Sequence, residues 1–262
     1  MKKILLTASI LSSLILVGCG DNNTTTTTSH PASSNANIQT QNDLPARQQT
    51  GDFEWNWLAD YPVTSIQEEK LYTKNYYFVL DGSGSMDERP GSCNPNERNM
   101  KIDIAKGAIE QFIQSIPVQD NIGLLAFDSR GINEREELGI SNRDSFRKSL
   151  MQVRADSNTP LKTAIKNAYH HVRQQAANQA GHGEYNIIVV TDGAASTGEN
   201  PSGIVKEIAS NSPVNLYTIG FCIGNDHVLN NKEYVHYFTA NDAASIVSGL
   251  SEVLAESEAT FD

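Results

Sequence analysis

The sequence predicts an α/β fold: a three-layer, doubly wound architecture in which a mostly parallel central sheet carries helices on both faces and has one short antiparallel edge strand. Three observations predict it. Apolar runs of strand length alternate along the chain with segments of helical periodicity. The runs are apolar at consecutive positions, as in Tyr76-Tyr77-Phe78-Val79-Leu80, so both strand faces are buried, which is the habit of parallel sheets. Two of the most apolar runs end in an acid followed by glycine, Leu80-Asp81-Gly82 and Thr191-Asp192-Gly193. Both acids therefore lie at the carboxyl edge of the sheet, where open α/β sheets bind ligands.

The elements follow in order. Residues 76–80 form the first strand and run into Asp81-Gly82-Ser83-Gly84-Ser85-Met86, a loop of small oxygen-bearing residues that can turn tightly. Pro90-Gly91 and Asn94-Pro95 mark residues 87–99 as a loop. Residues 101–116 place Ile102, Ala105, Ile109, Phe112, Ile113 and Ile116 on one helical face, and Pro117 stops the helix. Residues 121–127 read as the second strand, 135–140 as a shorter edge strand and 145–153 as a short helix. Leu161, Ala164, Ile165, Ala168, Val172 and Ala176 repeat the helical pattern over 160–177. A buried strand at 186–190 precedes a helix opening at Pro201, a residue suited to a first helical turn. Strands at 216–221 and 234–238 follow, and a last helix runs through Ala243, Ile246, Val247, Leu250, Val253 and Leu254. One domain, residues 73–258, accommodates all of it.

Upstream, Lys2-Lys3 precede an apolar stretch over 4–16 and then Leu16-Val17-Gly18-Cys19. The stretch is too short for the about 20 residues a membrane-spanning helix needs and reads as a targeting segment. It resembles a bacterial lipoprotein signal with its lipobox. That resemblance implies removal of residues 1–18, acylation of Cys19, and a lipid anchor in the bacterial cell envelope, in the inner or the outer membrane; the alternative is an ordinary secretory signal with an incidental cysteine. Residues 19–51, rich in Asn, Thr, Ser and Gln with the run 24–28 all Thr, are expected to be a disordered tether. A coil of about 30 such residues spans roughly 30 Å. Residues 52–72 carry Trp55, Trp57, Leu58, Tyr61 and Val63 and read as an extension packed on the domain, with an exposed aromatic ligand patch as the alternative.

Charge narrows the function. The formal net charge is −11 and the pI about 5.0, which excludes a phosphate-binding nucleic-acid surface. Loss of residues 1–18 removes Lys2 and Lys3 and no acid, and takes the formal charge to −13.

Between the two strand-end acids lies Asn158-Thr159-Pro160-Leu161, a hydroxyl just ahead of a helix. Taken singly, each piece has a plain structural reading: Asp81 and Asp192 as turn residues, 82–85 as a flexible loop, Thr159 as an N-cap with Pro160 at the first helical position. Together, Asp81-x-Ser83-x-Ser85, Thr159 in Thr-Pro-Leu and Asp192 in Thr-Asp-Gly resemble the von Willebrand factor type A domain and its metal-ion-dependent adhesion site, in register over residues 76–254. The resemblance implies a Rossmann-like fold in which the Ser83, Ser85 and Thr159 hydroxyls coordinate a cation directly, while Asp81 and Asp192 act largely through water. Such oxygen ligands suit Mg²⁺, with Mn²⁺ substituting and Ca²⁺ asking for more ligands at longer distance. It further implies a protein partner that offers an Asp or Glu carboxylate.

Enzyme motifs do not compete well. Ser83 stands where a phosphatase of the haloacid dehalogenase type would carry its second Asp, and the sequence holds no Gly-x-Ser-x-Gly, His-Glu-x-x-His or Gly-rich phosphate loop with Lys. His170 and His171 are consecutive on a helix and face apart. Asp226, His227, Glu233 and His236 read as a second metal site or, more simply, as scattered surface groups. The expectation is a non-enzymatic, lipid-anchored module that captures a protein. The alternatives are an assembly or regulatory subunit of an envelope complex using the same site and, last, a metal-dependent hydrolase. With Cys19 assigned to lipid, Cys93 and Cys222 remain, both at the ligand edge, and are expected to form a disulfide; two unpaired thiols are the other reading.

Overall fold

The structure, a computed structural model, describes residues 55–61, 63, 66 and 70–259. The expected signal segment, Cys19 and the tether lie outside them. Runs of Tyr, Phe, Val, Ile and Leu favour extended backbone that can bury both of its faces. Among the described residues they yield β1 (Lys74–Asp81), β2 (Asn121–Asp128), β3 (Gly131–Gly139), β4 (Glu184–Thr191), β5 (Asn215–Phe221) and β6 (His236–Ala240). The helices between and after them are α1 (Lys101–Ile113), α2 (Arg143–Met151), α3 (Leu161–Asn178), α4 (Ser202–Asn211) and α5 (Ala243–Ala259). No helix of the described residues is long and apolar enough to cross a membrane.

The strands join in one sheet of order β3-β2-β1-β4-β5-β6, parallel throughout except for the antiparallel β2–β3 pair. The chain winds outward from β1 in one direction and from β4 in the other, so the order reverses between these two strands. In open sheets of this kind the ligand-binding edge lies there, beyond the strands' carboxyl ends.

Alternation along each strand divides the core. Tyr76, Phe78 and Leu80 of β1 point to one face and pack with Ile109 and Phe112 of α1, Phe146 of α2 and Leu250 of α5. Tyr77 and Val79 point to the other and meet Leu161, Ala164, Ile165 and Val172 of α3 and Val205 and Ile208 of α4. Trp57 joins this second layer, edge-on to Tyr185 with ring centroids 5.7 Å apart. Tyr72 is 68 % exposed and Val63 53 %, so the aromatic and apolar residues around position 60 divide between core and surface.

Among the boundaries that differ from the sequence reading, three have a visible cause. The edge strand β3 is antiparallel, as expected, but it is not short: it has nine residues and starts at Gly131, directly after a Ser129-Arg130 turn. Its inner stretch Glu134-Arg135-Glu136-Glu137 carries no apolar alternation, and such charge on an edge strand discourages pairing with other chains. Helix α1 stops at Ile113 rather than residue 116, because Gln114 and Ser115 donate to Gln111 and Phe112 in a tighter last turn ahead of Pro117. Strand β6 begins two residues late, since the Tyr234 and Val235 amides both close a turn onto the Asn231 carbonyl.

Candidate metal centre

Asp81 is the last residue of β1, and it is wholly buried. Its Oδ1 accepts the Ser83 amide at 2.7 Å, an Asx turn that bends the chain at once, and its Oδ2 accepts the Thr191 hydroxyl at 2.5 Å. Burial pushes the carboxyl up to about 6, against the pull of the hydrogen bonds from Ser83 and Thr191. Gly82 is required at the bend, for a Cβ there would run into the Phe127 and Arg154 carbonyl oxygens.

The loop after Asp81 is laced to the segment that leads into α3. The Gly82 carbonyl accepts the Asp156 and Ser157 amides at 3.0 and 3.1 Å, and the Gly84 amide donates to Ser157 O at 2.9 Å. Lys106 of α1 braces the same segment from behind, its ammonium 2.6 Å from Val153 O. These contacts hold Ser83 and Thr159 on one rim although 76 positions of sequence separate them. Thr159 does not cap α3, which starts at Leu161 with no side-chain cap. Glu199 serves the first turn instead, accepting the Thr163 amide and hydroxyl at 2.9 Å each. Thr159 is pinned through its backbone: its amide donates to Ser196 Oγ and its carbonyl accepts the Ser196 amide, both at 3.0 Å.

The side chains meet beyond the carboxyl ends of β1 and β4. Ser83 Oγ and Ser85 Oγ lie 3.0 Å apart, and the Ser85 hydroxyl donates to Asp192 Oδ1 at 2.7 Å. A Cβ built on Gly193 would stand 3.5 Å from Ser85 Oγ and 3.9 Å from Thr159 Oγ1, so both hydroxyls approach one point that glycine keeps open. Asp81 stands one step behind, reaching this group through Ser83. The five residues singled out in the sequence thus gather at one place. Their donors are two carboxylates and three hydroxyls, an all-oxygen set that fits a hard divalent cation such as Mg²⁺. No group of three or more His, Cys, Asp or Glu side chains able to hold a metal occurs among the described residues, so hydroxyls have to supply much of any coordination.

Four further residues were not legible as part of this site. Thr191 orients Asp81. Lys101, the first residue of α1, sets its ammonium 2.8 Å from Asp192 Oδ2. Ser196 fixes Thr159. His227 is buried and accepts the Leu229 amide on Nδ1 at 3.3 Å, which leaves Nε2 to donate to Gly193 O at 2.9 Å. Burial holds its imidazole below the ordinary range. A Lys at the first position of α1 was the one available signal, because a cation opposes the helix dipole there and needs a local reason, and Asp103 in the same turn offsets it only in part. The set Asp226, His227, Glu233 and His236 does not assemble: His227 is committed to Gly193, and His236 Nδ1 lies 3.0 Å from Glu256. His170 meets the Tyr61 hydroxyl at 2.5 Å while His171 faces Glu134 at 3.2 Å, so the two imidazoles serve different partners.

Cys93 and Cys222 are joined in a disulfide at the same edge, their Cα atoms 5.6 Å apart. The bond ties the loop after β1 to the end of β5. Cys222 has φ +56° and donates its amide to Ala240 O at 2.7 Å, so the tie extends to the end of β6.

The model of the von Willebrand factor type A domain matches residues 75–250. The uncharacterized protein YwmD of Bacillus subtilis is 28% identical over 171 residues, which cover 60% of this chain and 72% of that one. In fold the chain is similar to an aerotolerance-related membrane protein from Bacteroides fragilis, with TM-score 0.55 and 14% identity over 70% of this chain and 99% of that one. It is also similar to the pilus adhesin SpaC of Lactobacillus rhamnosus GG, with TM-score 0.54 and 16% identity over 73% of this chain and 31% of that one.

Proposed function

Because the chain belongs to the von Willebrand factor type A domain family, we propose that it is a lipid-anchored binding module of the bacterial cell envelope. Asp81, Ser83, Ser85, Thr159 and Asp192 would hold a divalent cation, Mg²⁺ first, and the partner would be a protein that offers an Asp or Glu carboxylate. When bound, such a cation supplies an electrophilic position that a carboxylate can enter.

One observation carries this reading: the unbroken run of contacts from Ser83 Oγ through Ser85 Oγ to Asp192 Oδ1, set where the strand order reverses. Neutral hydroxyls in place of further acids leave the centre short of negative charge, a reason for it to draw an acid from elsewhere. Ser83, where a phosphatase would carry its second Asp, favours docking over hydrolysis. The lipobox ahead of Cys19 supports the envelope assignment, and the likeness in fold to a pilus adhesin and a membrane protein agrees with binding there.

Mn²⁺ titration followed by paramagnetic resonance tests the centre. The wild-type chain is expected to take up one Mn²⁺, and Asp81→Ala or Asp192→Ala to lose it with the far-ultraviolet dichroism unchanged. Cross-linked pull-down with and without chelator then tests the docking. Partner recovery that ignores both chelator and Asp81→Ala would rule out a metal-bridged partner. Capture of a stable envelope subunit would make the module part of an assembly, and capture of an external protein would make it a receptor.

A further inference from the structure

Lys101 has an unusual post for a lysine. It opens α1, where the helix dipole disfavours a cation, and its side chain is 11% exposed. Lysine is among the residues most rarely buried without a partner. The partner here is Asp192, whose side chain is wholly buried and whose Oδ2 lies 2.8 Å from the ammonium. The Ser85 carbonyl, at 3.4 Å, accepts from the same nitrogen, while Glu88, at 3.9 Å, is mostly exposed. The Lys101 amide donates to Glu88 O at 2.9 Å, which fixes the start of the helix and therefore the reach of the side chain.

The two oxygens of Asp192 are thus divided. Oδ1 faces Ser85 and the rim, and Oδ2 is held by Lys101 on the inner side. In formal charge, the carboxylates of Asp81 and Asp192 are offset by one ammonium. A divalent cation added to this set leaves the centre with a net positive charge, where the two carboxylates alone would neutralise it.

Resting on the reading of the site as a divalent-cation centre, we propose that Lys101 sets its charge and so its specificity. The ammonium weakens the hold of the site on its own cation and strengthens its attraction for an incoming partner carboxylate. It also turns Asp192 so that a single oxygen is presented to the rim. Two ion pairs of opposite consequence therefore meet at one centre: Lys101 with Asp192 inside the protein, and the cation with the partner's acid outside it.

The test uses the full chain with Mn²⁺ as the metal and acetate as the carboxylate probe. Lys101→Met removes the charge at similar length, and Lys101→Gln removes it while keeping a donor for Asp192, so one neutral variant carries the test if the other fails to fold. Both are expected to bind Mn²⁺ about tenfold more tightly than wild type, a modest effect for a unit charge a few ångströms away in a partly buried site. Their Mn²⁺-loaded forms are expected to bind acetate about tenfold more weakly, read from water-proton relaxation. Lys101→Arg, which keeps the charge, should restore both values. A purely structural lysine would lower Mn²⁺ affinity on removal, and that result, or an unchanged affinity in the neutral variants, overturns the proposal. Tighter Mn²⁺ with undiminished acetate overturns it as well. If wild type takes up no Mn²⁺, the metal centre falls and this inference with it; if wild type binds and Asp81→Ala does not, a flat response to Lys101→Met and Lys101→Gln removes the role of Lys101 alone.

Discussion

Asp128 ends β2 with a side chain that water does not reach, and Arg130 and Arg135 hold it at 2.5 and 2.8 Å. Burial pushes its carboxyl up, but the hydrogen bonds from Arg130 and Arg154 and the charge of Arg135 outweigh burial and hold it below the ordinary carboxylate value. A depressed folded value means stabilisation that is present above the unfolded value and lost as pH falls through the folded one. Asp128→Asn should therefore cost about 3 kcal/mol at pH 7, since it leaves Arg135 charged and 12% exposed. The gap to wild type should close as pH drops below about 4, which urea unfolding at pH 7 and pH 3 would check. The sequence reading misses the pairing of Asp128 with Arg135 because it starts the edge strand at residue 135, past the turn at Gly131, φ +90°, that folds one back on the other. Asp81 and Asp192 were legible for the opposite reason: each closes an apolar run and precedes a glycine, so position alone marks it. Lys101 lies 91 positions from Asp192 in sequence, and only the fold joins them.

The strands and helices were legible where packing on the core imposes a period, and not where another force sets the boundary. The buried central strands announce themselves by unbroken Val, Ile and Leu; β3, half of whose residues are charged or polar, is held by its ladder to β2 and hid in plain charge. The disulfide belongs to this level, since it joins two connections rather than two strands. It closes a sequence separation of 129 residues. Replacing both cysteines, Cys93→Ser with Cys222→Ser, should destabilise the domain by about 3 kcal/mol, seen as a lower midpoint in urea. In the native, unreduced protein neither thiol should alkylate. Capture of both by alkylating reagent would show that the pair is open in the native protein.

For the molecule as a whole, the sequence gives away layers more readily than neighbours. Strands apolar on both faces demand helices above and below, yet the order β3-β2-β1-β4-β5-β6 depends on crossovers that no local pattern records. That order puts the entry of the chain and its candidate site at opposite ends of one strand: Lys74 begins β1 and Asp81 ends it. Cys19→Ala should move the protein from the membrane to the soluble fraction and leave Mn²⁺ uptake intact, because the anchor and the centre share no residue. Retention of Cys19→Ala in the membrane would refute the lipid as its anchor. The same strand has a mechanical meaning. Were the proposed anchor upstream of Lys74 and a partner beyond Asp81 pulled apart, tension would run lengthwise through β1, which is paired along both edges, to β2 and to β4. Pulling it free would shear both ladders at once instead of unzipping bonds one by one, so β1 would resist such a pull along its whole length.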